Sequence, residues 1–137
     1  MNTPLAIKSN SLLRHTLRAN GVFSGLSGLL FTLAAASITR FIGLPWPAVL
    51  IVVGLSLIGY AASLFIASNR AEVDRRAVAV FIALDVAWVV GSGLLLVTAW
   101  VPFTAAGKWA IVIIADVVAL FALVQVYGLR RMGRSEA

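Results

Sequence analysis

The chain has 137 residues, of which 61% are hydrophobic and 12% are charged, with a formal net charge of +6. Soluble domains have roughly 45–50% apolar and about 25% charged residues, so the composition excludes an ordinary water-soluble domain. The absence of cysteine excludes disulfide scaffolds and thiol chemistry, and a single histidine, His15, excludes a histidine cluster.

Four apolar stretches follow one another along the chain, at about residues 20–39, 47–67, 77–99 and 109–128. Each is close to the roughly 20 residues that a helix needs to cross the hydrocarbon core of a bilayer. A separate segment in lipid satisfies its backbone hydrogen bonds only as a helix. The sequence therefore predicts an all-α integral membrane protein, with four transmembrane helices in an up-down-up-down bundle that forms one domain over residues 20–128.

The segments outside this domain are short. Residues 1–19 are predicted to be a cytoplasmic or interfacial segment, either as a short amphipathic helix or as a disordered tail, and residues 129–137 form a basic tail. A competing interpretation is a secretory signal cleaved near the small residues at 34–36. Retention of the first span is favoured, because the apolar run is long and about eighteen residues precede it.

The basic residues are distributed unevenly. Nine of the eleven lysines and arginines precede the first span, separate the second from the third, or follow the fourth; only Arg40 and Lys108 lie in the other two connections. This bias predicts that both termini are cytoplasmic, in a cell membrane such as the bacterial plasma membrane. Contact with anionic lipid is a second expected role, and nucleic acid is not an expected partner. The arginines concerned are Arg14, Arg18, Arg70, Arg75, Arg76, Arg130, Arg131 and Arg134.

A shift of 65 residues aligns the two halves of the chain. It places Asn20 on Asp85 and the sequence SGLL at 27–30 on SGLL at 92–95. Both halves would be hairpins that begin on the same side of the membrane, so the pattern indicates a parallel duplication. The alternative is chance similarity between apolar sequences.

Small residues recur at helical spacing on three of the spans. Such positions let helix backbones approach closely. Close packing matters in lipid because the hydrophobic effect does not drive helices together there. We therefore expect helix-packing seams there. The residues are Gly21, Gly25, Gly28, Gly59, Ser63, Ala87 and Gly91.

Two carboxylates, Asp85 and Asp116, lie inside the third and fourth spans. A charge at membrane depth costs about 2.5–3.5 kcal/mol on insertion scales, so such residues usually face a bundle interior or a wet path. The two acids are expected at different depths, which disfavours a shared-proton pair. The intramembrane polar candidates are Asp85, Asp116, Asn20, Ser24, Tyr60, Trp88 and Ser92.

For Asp85, a proton-carrying role and a structural role are both open, and for Asp116 a register-fixing role is favoured. Polar partners for Asp85 are expected on the other helices, while Arg40 or Lys108 is expected near Asp116. Gln125 and Tyr127 are predicted to be mainly interfacial.

No catalytic triad, phosphate loop or zinc motif is present in the sequence, so no enzyme activity, cofactor or metal is expected. Two functions remain, of which the first is favoured and the second is the alternative. The first is a structural or accessory subunit, or a homo-oligomeric scaffold within a larger membrane complex. The second is a small proton- or cation-coupled transporter or channel that uses Asp85. No proline interrupts a span, which weighs against the broken helices of many transporters.

Overall fold

The computed structural model describes the backbone of residues 4–136 and the side chains of residues 11–132. Over this part of the chain every regular element of secondary structure is a helix. The helices are α1 (Pro4–Leu33), α2 (Ala35–Ile42), α3 (Pro47–Ser68), α4 (Arg75–Thr98) and α5 (Ala105–Glu136). By length and composition three of them, α3, α4 and α5, can cross a membrane, and α1 with α2 makes a fourth span if the bent pair counts as one. The chain is therefore an all-α protein of membrane type with three to four candidate spans.

Local signals at the helix ends match these bounds. Pro47 occupies the first turn of α3, where its missing N–H group would be unpaired in any case. Asp74 caps α4 by accepting a hydrogen bond of 3.0 Å from the backbone N–H of Arg76. Gly43 ends α2 in the left-handed conformation, with a φ of 83°.

The start of α1, the end of α3, the start of α4 and the end of α5 meet at one end of the bundle, which we call the basic end. Arg14 on α1 fastens α3 there by donating hydrogen bonds to the carbonyl oxygens of Ser68 (2.9 Å), Arg70 (2.5 Å) and Ala71 (2.6 Å). These carbonyls follow the last turn of α3, where no helical donor remains for them. The predicted topology arginines near this end thus include one with a specific structural contact.

A compact hydrophobic cluster fills the basic end beneath these contacts. Its side chains come from α1, α3, α4, α5 and the connection before α4, so it ties the helices together on this side. The buried members are Leu13, Leu17, Leu64, Ala67, Val73, Val78, Phe81 and Met132.

The packing between helices is uneven around the bundle. Helix α1 packs most extensively against α3 and also against α5, and α4 packs against α5. The backbones of α3 and α4 make almost no close contact with each other. The bundle therefore has one loosely packed side, between α3 and α4.

The contact between α1 and α3 depends on two glycines. A Cβ atom on Gly28 would lie 2.6 Å from the carbonyl oxygen of Gly54, and one on Gly54 would lie 2.8 Å from the carbonyl oxygen of Gly28. The two backbones cross here without intervening side chains, as small residues permit in membrane proteins.

The first span is not the single straight helix predicted for residues 20–39. The helix breaks at Ala34, and the axes of its two parts differ by 95°. No proline or glycine stands at the break, so no local sequence signal marks it. The cause is tertiary: α2 turns to pack against α3 and α5, with Ala35 and Thr39 as its buried face.

Hydrogen bonds hold α2 in this crosswise position. The backbone N–H of Thr104 donates to the carbonyl oxygen of Ile42 (2.9 Å), and the Thr104 hydroxyl donates to that of Phe41 (2.7 Å). Gly107 has no side chain to obstruct the backbone of Ile42. Helix α2 therefore closes the end of the bundle opposite the basic end, which we call the α2 end.

The predicted outer boundaries also differ from the observed helices. Helix α1 runs without interruption from Pro4 through residue 20, and α5 continues past residue 128 to Glu136. The predicted N-terminal segment and basic tail are thus continuous with their helices over the described residues. The side chain of Arg134, one of the predicted topology residues, lies outside the described residues.

We expect Gly28→Ala to destabilise the bundle by about 1–3 kcal/mol, because the new methyl group meets backbone atoms of α3 that cannot move aside alone. The matched control is Gly59→Ala, since a Cβ atom at Gly59 meets nothing within 4 Å. Unfolding in detergent by increasing denaturant measures both. Equal stability of Gly28→Ala and the wild type would contradict the close contact.

Candidate functional site

The carboxyl group of Asp85 lies in the interior of the bundle, with only 4% of the residue exposed. It accepts one hydrogen bond from each of the other three long helices. Asn20 on α1 donates to Oδ2 (3.0 Å), Tyr60 on α3 donates to Oδ1 (2.8 Å), and Gln125 on α5 donates to Oδ2 (3.4 Å). We call these four residues the polar cluster.

The register of α4 places the acid in this position. With Asp74 as the N-cap, Val78, Phe81 and Asp85 follow at spacings of three and four residues and form the buried stripe of the helix. Val78 and Phe81 belong to the hydrophobic cluster at the basic end. Asp85 is therefore the next inward position along a stripe that is otherwise apolar.

Ser24 fixes the orientation of the Asn20 amide. Its hydroxyl donates to Oδ1 of Asn20 (3.1 Å), one turn away on α1. The amide nitrogen of Asn20 is thereby directed at Asp85. The pair supplies a preoriented donor, and both side chains are buried.

The hydroxyl of Tyr60 has two acceptors within reach but only one hydrogen. It lies 2.8 Å from Oδ1 of Asp85 and 3.2 Å from the carbonyl oxygen of Phe81. When Asp85 is ionised, Tyr60 donates to it. When Asp85 carries a proton on Oδ1, the acid can donate to Tyr60, and Tyr60 donates to Phe81 instead. The cluster therefore accommodates both protonation states of Asp85 with its hydrogen bonds made.

The three side chains that donate hydrogen bonds to Asp85, those of Asn20, Tyr60 and Gln125, are neutral. Hydrogen bonds from neutral donors stabilise a carboxylate but leave its full charge in a medium of low polarity. The charge is cancelled only when a proton or another cation joins the cluster. The arrangement can therefore hold a proton or a positively charged group.

A cavity of about 330 Å³ adjoins Asp85. It is bordered by α1, α3, α4 and α5, and its walls are mainly apolar, with Ser24, Ser27, Ser56, Tyr60 and Asp85 as the polar residues. Cavities of this size and character are typical of small-molecule sites. The remaining lining residues are Phe23, Phe31, Val52, Val53, Leu57, Leu84, Trp88, Ile114 and Val118.

Two buried polar atoms near this region have no hydrogen-bond partner among the described residues: Nε1 of Trp88 and Oε1 of Gln125. Buried polar atoms in folded proteins are nearly always paired, so each exception calls for an explanation. Trp88 lines the cavity, which makes a bound molecule one possible acceptor for its N–H group.

The structure brings together four of the residues that the sequence singled out, namely Asn20, Ser24, Tyr60 and Asp85. Trp88 lies on the cavity wall but makes no hydrogen bond to Asp85. Ser92 is one turn further along α4 and is not part of the cluster or of the cavity wall.

Sequence reasoning missed Gln125, which was predicted to be interfacial. Its side chain is fully buried, at 0% exposure, and it belongs to the polar cluster. Tyr127, predicted with it, is exposed and lies under the guanidinium group of Arg131, 5.5 Å from the ring centre. Tyr127 is two positions after Gln125, so the two side chains face different sides of α5.

The 65-residue offset contained the signal for Gln125. Asn20 and Asp85 are separated by 65 residues, and so are Tyr60 and Gln125. The polar cluster consists of these two pairs. Asn20 meets its counterpart Asp85, as residues close to a pseudo-two-fold axis would. The helix packing does not follow such an axis, because α1 packs against α5 while the corresponding pair, α4 and α3, makes almost no close backbone contact. The parallel repeat therefore stays a prediction.

The predicted small-residue positions divide into two groups. On α1, Gly21, Gly25 and Gly28 face Phe65, Ala61 and Gly54 of α3. These three positions thus lie in a helix contact.

The other four positions make no close helix contact within the described chain. A Cβ atom on Gly59 or Gly91 would meet nothing within 4 Å, and Ser63 and Ala87 are exposed. Intramolecular packing at these positions is therefore not observed. A role for them in packing against another chain stays a prediction.

Asp116 is exposed on the outer face of α5, between the exposed residues Ile113 and Leu120. No hydrogen bond or ion pair of Asp116 occurs among the described residues, and the expected partner Arg40 bonds instead to the carbonyl oxygen of Ala36 (3.3 Å). Asp116 therefore does not fix the register between helices of this chain.

No protein-family model, curated protein or solved structure matches the chain. The described residues also contain no group of three or more histidine, cysteine, aspartate or glutamate side chains placed to hold a metal ion.

We expect the polar cluster to contribute measurable coupling to stability. Asn20→Leu leaves Asp85 without one donor, and Asp85→Leu leaves three donors unsatisfied, so each change should cost about 1–3 kcal/mol. The double variant should lose about 0.5–3 kcal/mol less stability than the sum of the losses in the two single variants. The reason is that each single variant leaves a partner unpaired, whereas the double variant removes both partners together.

Unfolding of the four proteins in detergent gives this coupling energy. The control cycle pairs Asn20→Leu with Ser92→Ala, because the side chain of Ser92 is outside the cluster. In this cycle the losses of stability of the two single variants should add. Additivity for Asn20 and Asp85 as well would contradict the assigned hydrogen bond.

Proposed function

We propose that the protein is a small membrane transporter in which Asp85 takes up and releases a proton or exchanges it for a cation. The observation that carries the proposal is the buried Asp85 carboxyl group, which is held by one neutral donor from each of the other three long helices and adjoins a cavity. Ionisable groups at membrane depth commonly mark ion paths and proton relays.

The alternative hydrogen bond of Tyr60 supports this proposal. A purely structural acid needs only one set of partners, whereas a proton-carrying acid needs partners in both states. Tyr60 supplies them, because its hydrogen can point to Asp85 or to the carbonyl oxygen of Phe81. Proton uptake at Asp85 then requires a rotation of two O–H bonds and no movement of a helix.

The break at Ala34 also favours transport. Discontinuous helices frequently border the substrate sites of transporters. Phe31, one turn before the break, lines the cavity, and α2 covers the bundle end beyond it. A change in the angle between α1 and α2 would open the cavity toward that end of the bundle.

Asp85→Asn is the first test. Asparagine has nearly the same shape and can accept from Tyr60, but it carries no acid proton. In the wild type we expect acidification to produce the infrared carbonyl band of a protonated carboxyl group. Labelling aspartate with ¹³C should shift this band, which assigns it to an aspartate. Asp85→Asn should abolish the band for this site.

Asp116→Asn is the matched control, because it removes the other acid of the apolar helices and leaves the polar cluster intact. Proteoliposomes with a trapped pH dye and an imposed potential provide the second readout. Proton entry should be faster than in empty liposomes for the wild type and Asp116→Asn, and equal to empty liposomes for Asp85→Asn. Absence of the carbonyl band at any pH at which the protein is folded would remove the proposal.

A second function, as a scaffold or accessory subunit in an assembly, is favoured by a different observation. Asp116 and the small residues Gly59, Ser63 and Ala87 are exposed on helices that a bilayer would surround. An isolated charge facing lipid is costly, and small residues facing lipid leave shallow grooves that a neighbouring helix can fill. A second copy of the chain is the simplest occupant, and four helices enclose so little space that transport also favours at least two copies.

For this second function we expect Gly59→Leu to break the assembly without unfolding the chain, since the added side chain enters open space in the single molecule. Native mass spectrometry in lipid nanodiscs should show oligomers for the wild type and single chains for Gly59→Leu. Gly93→Leu, the same change at another exposed glycine whose Cβ position meets nothing within 4 Å, is the control. A single-chain mass for the wild type would exclude the homo-oligomer.

A further inference from the structure

We propose that the cavity binds a small lipophilic organic cation, which enters from the bilayer between α3 and α4 and replaces the proton on Asp85. The inference rests on the proposed transport function and names its substrate class. It is carried by the position of the cavity opening, the aromatic walls and the uncancelled charge of the carboxyl group.

The opening of the cavity is on the side where α3 and α4 are loosely packed. Three lining residues are also exposed on the outside of the bundle: Val52 (63%) and Ser56 on α3, and Leu84 (50%) on α4. These residues form the two edges of the opening. Because the outside of α3 and α4 at this level is the apolar surface of candidate spans, a molecule reaches the opening through lipid.

Other parts of the chain lie at the two ends of the bundle. At the α2 end, α2 lies across the bundle and is bonded to Thr104. At the basic end, the polar cluster and the hydrophobic cluster that contains Leu17, Leu64 and Phe81 lie between the cavity and the helix ends. A substrate that enters by the open side must therefore dissolve in the membrane.

The walls select an apolar body with a positive charge. Four aromatic side chains line the cavity: Phe23, Phe31, Tyr60 and Trp88. Phe23 is supported by Phe121 on α5, with ring centres 5.8 Å apart. The faces of aromatic rings attract ammonium groups, and the attraction is larger where water is excluded.

The carboxyl group of Asp85, on the wall of the cavity, supplies the negative charge that pairs with the cation. The groups that hydrogen-bond to it are Asn20 from α1, Tyr60 from α3 and Gln125 from α5, and of these Tyr60 alone has an ionisable proton. An entering ammonium group cancels the charge that these neutral donors leave in place. Because a proton does the same, cation and proton compete for one site.

The probe is benzyltrimethylammonium, whose charge does not change with pH, and the matched neutral compound is neopentylbenzene, in which carbon replaces nitrogen. Binding is measured by equilibrium dialysis of the full chain in lipid nanodiscs, with empty nanodiscs subtracted. Where Asp85 is mostly protonated, we expect the affinity for the cation to rise about tenfold per pH unit, because each bound cation displaces one proton.

Asp85→Asn should weaken cation binding at least tenfold and remove its dependence on pH, while Asp116→Asn should leave both unchanged. Leu84→Trp tests the route: a larger side chain at the edge of the opening should slow association of the cation at least tenfold. Leu94→Trp, at an exposed position of the same helix away from the cavity, should not.

Equal binding of neopentylbenzene and the cation, with no effect of Asp85→Asn, would overturn the inference and identify the cavity as a site for apolar molecules such as lipid chains. Failure of the cation to bind while the infrared band of Asp85 still titrates would overturn the inference alone. Absence of that band would instead overturn the proposed transport function, so the two failures are distinguishable.

Discussion

The interior of this bundle is arranged around one carboxyl group that lies among apolar helices. A carboxyl group at membrane depth is costly and usually faces the bundle interior, where other groups bond to it. Asp85 obtains a donor from each of the three other long helices, although α4 packs closely only against α5. The hydrogen bonds of Asn20 and Tyr60 therefore connect α4 to helices that its backbone does not approach, and they position it while a cavity remains beside the acid.

The loosely packed side and the polar cluster depend on each other. If α3 and α4 packed backbone to backbone, as α1 and α3 do at Gly28 and Gly54, no volume would remain next to Asp85. Because Tyr60 reaches across the gap with its hydroxyl group, the two helices are held at the distance of an aromatic side chain. The ring of Tyr60 also packs edge-on against Phe81, with ring centres 5.7 Å apart, which fixes that distance on the side of the basic end.

The helical nature of the chain was predictable from hydropathy, and Asp85, Asn20 and Tyr60 could be singled out because polar residues inside apolar runs are local signals. The break at Ala34 was not predictable, since it arises from packing of α2 on α3 and α5 and no proline or glycine marks it. The interfacial prediction for Gln125 was wrong because it relied on the position of this residue near the end of its span. The signal for its place in the polar cluster was the 65-residue offset from Tyr60. The cavity depends on how far apart α3 and α4 lie, a distance that no local pattern encodes.

The meeting of Asn20 and Asp85 has a consequence for why the two halves belong to one chain. Two identical hairpins that associate about a two-fold axis must present the same side chain to each other at the axis. Two carboxyl groups there would repel or share a proton, and two amides would carry no acid. A single polypeptide frees the two positions to differ, so that one half supplies the donor and the other the acid. In the polar cluster Asp85 is accordingly the one carboxyl group, and the amide of Asn20 stands opposite it as a donor.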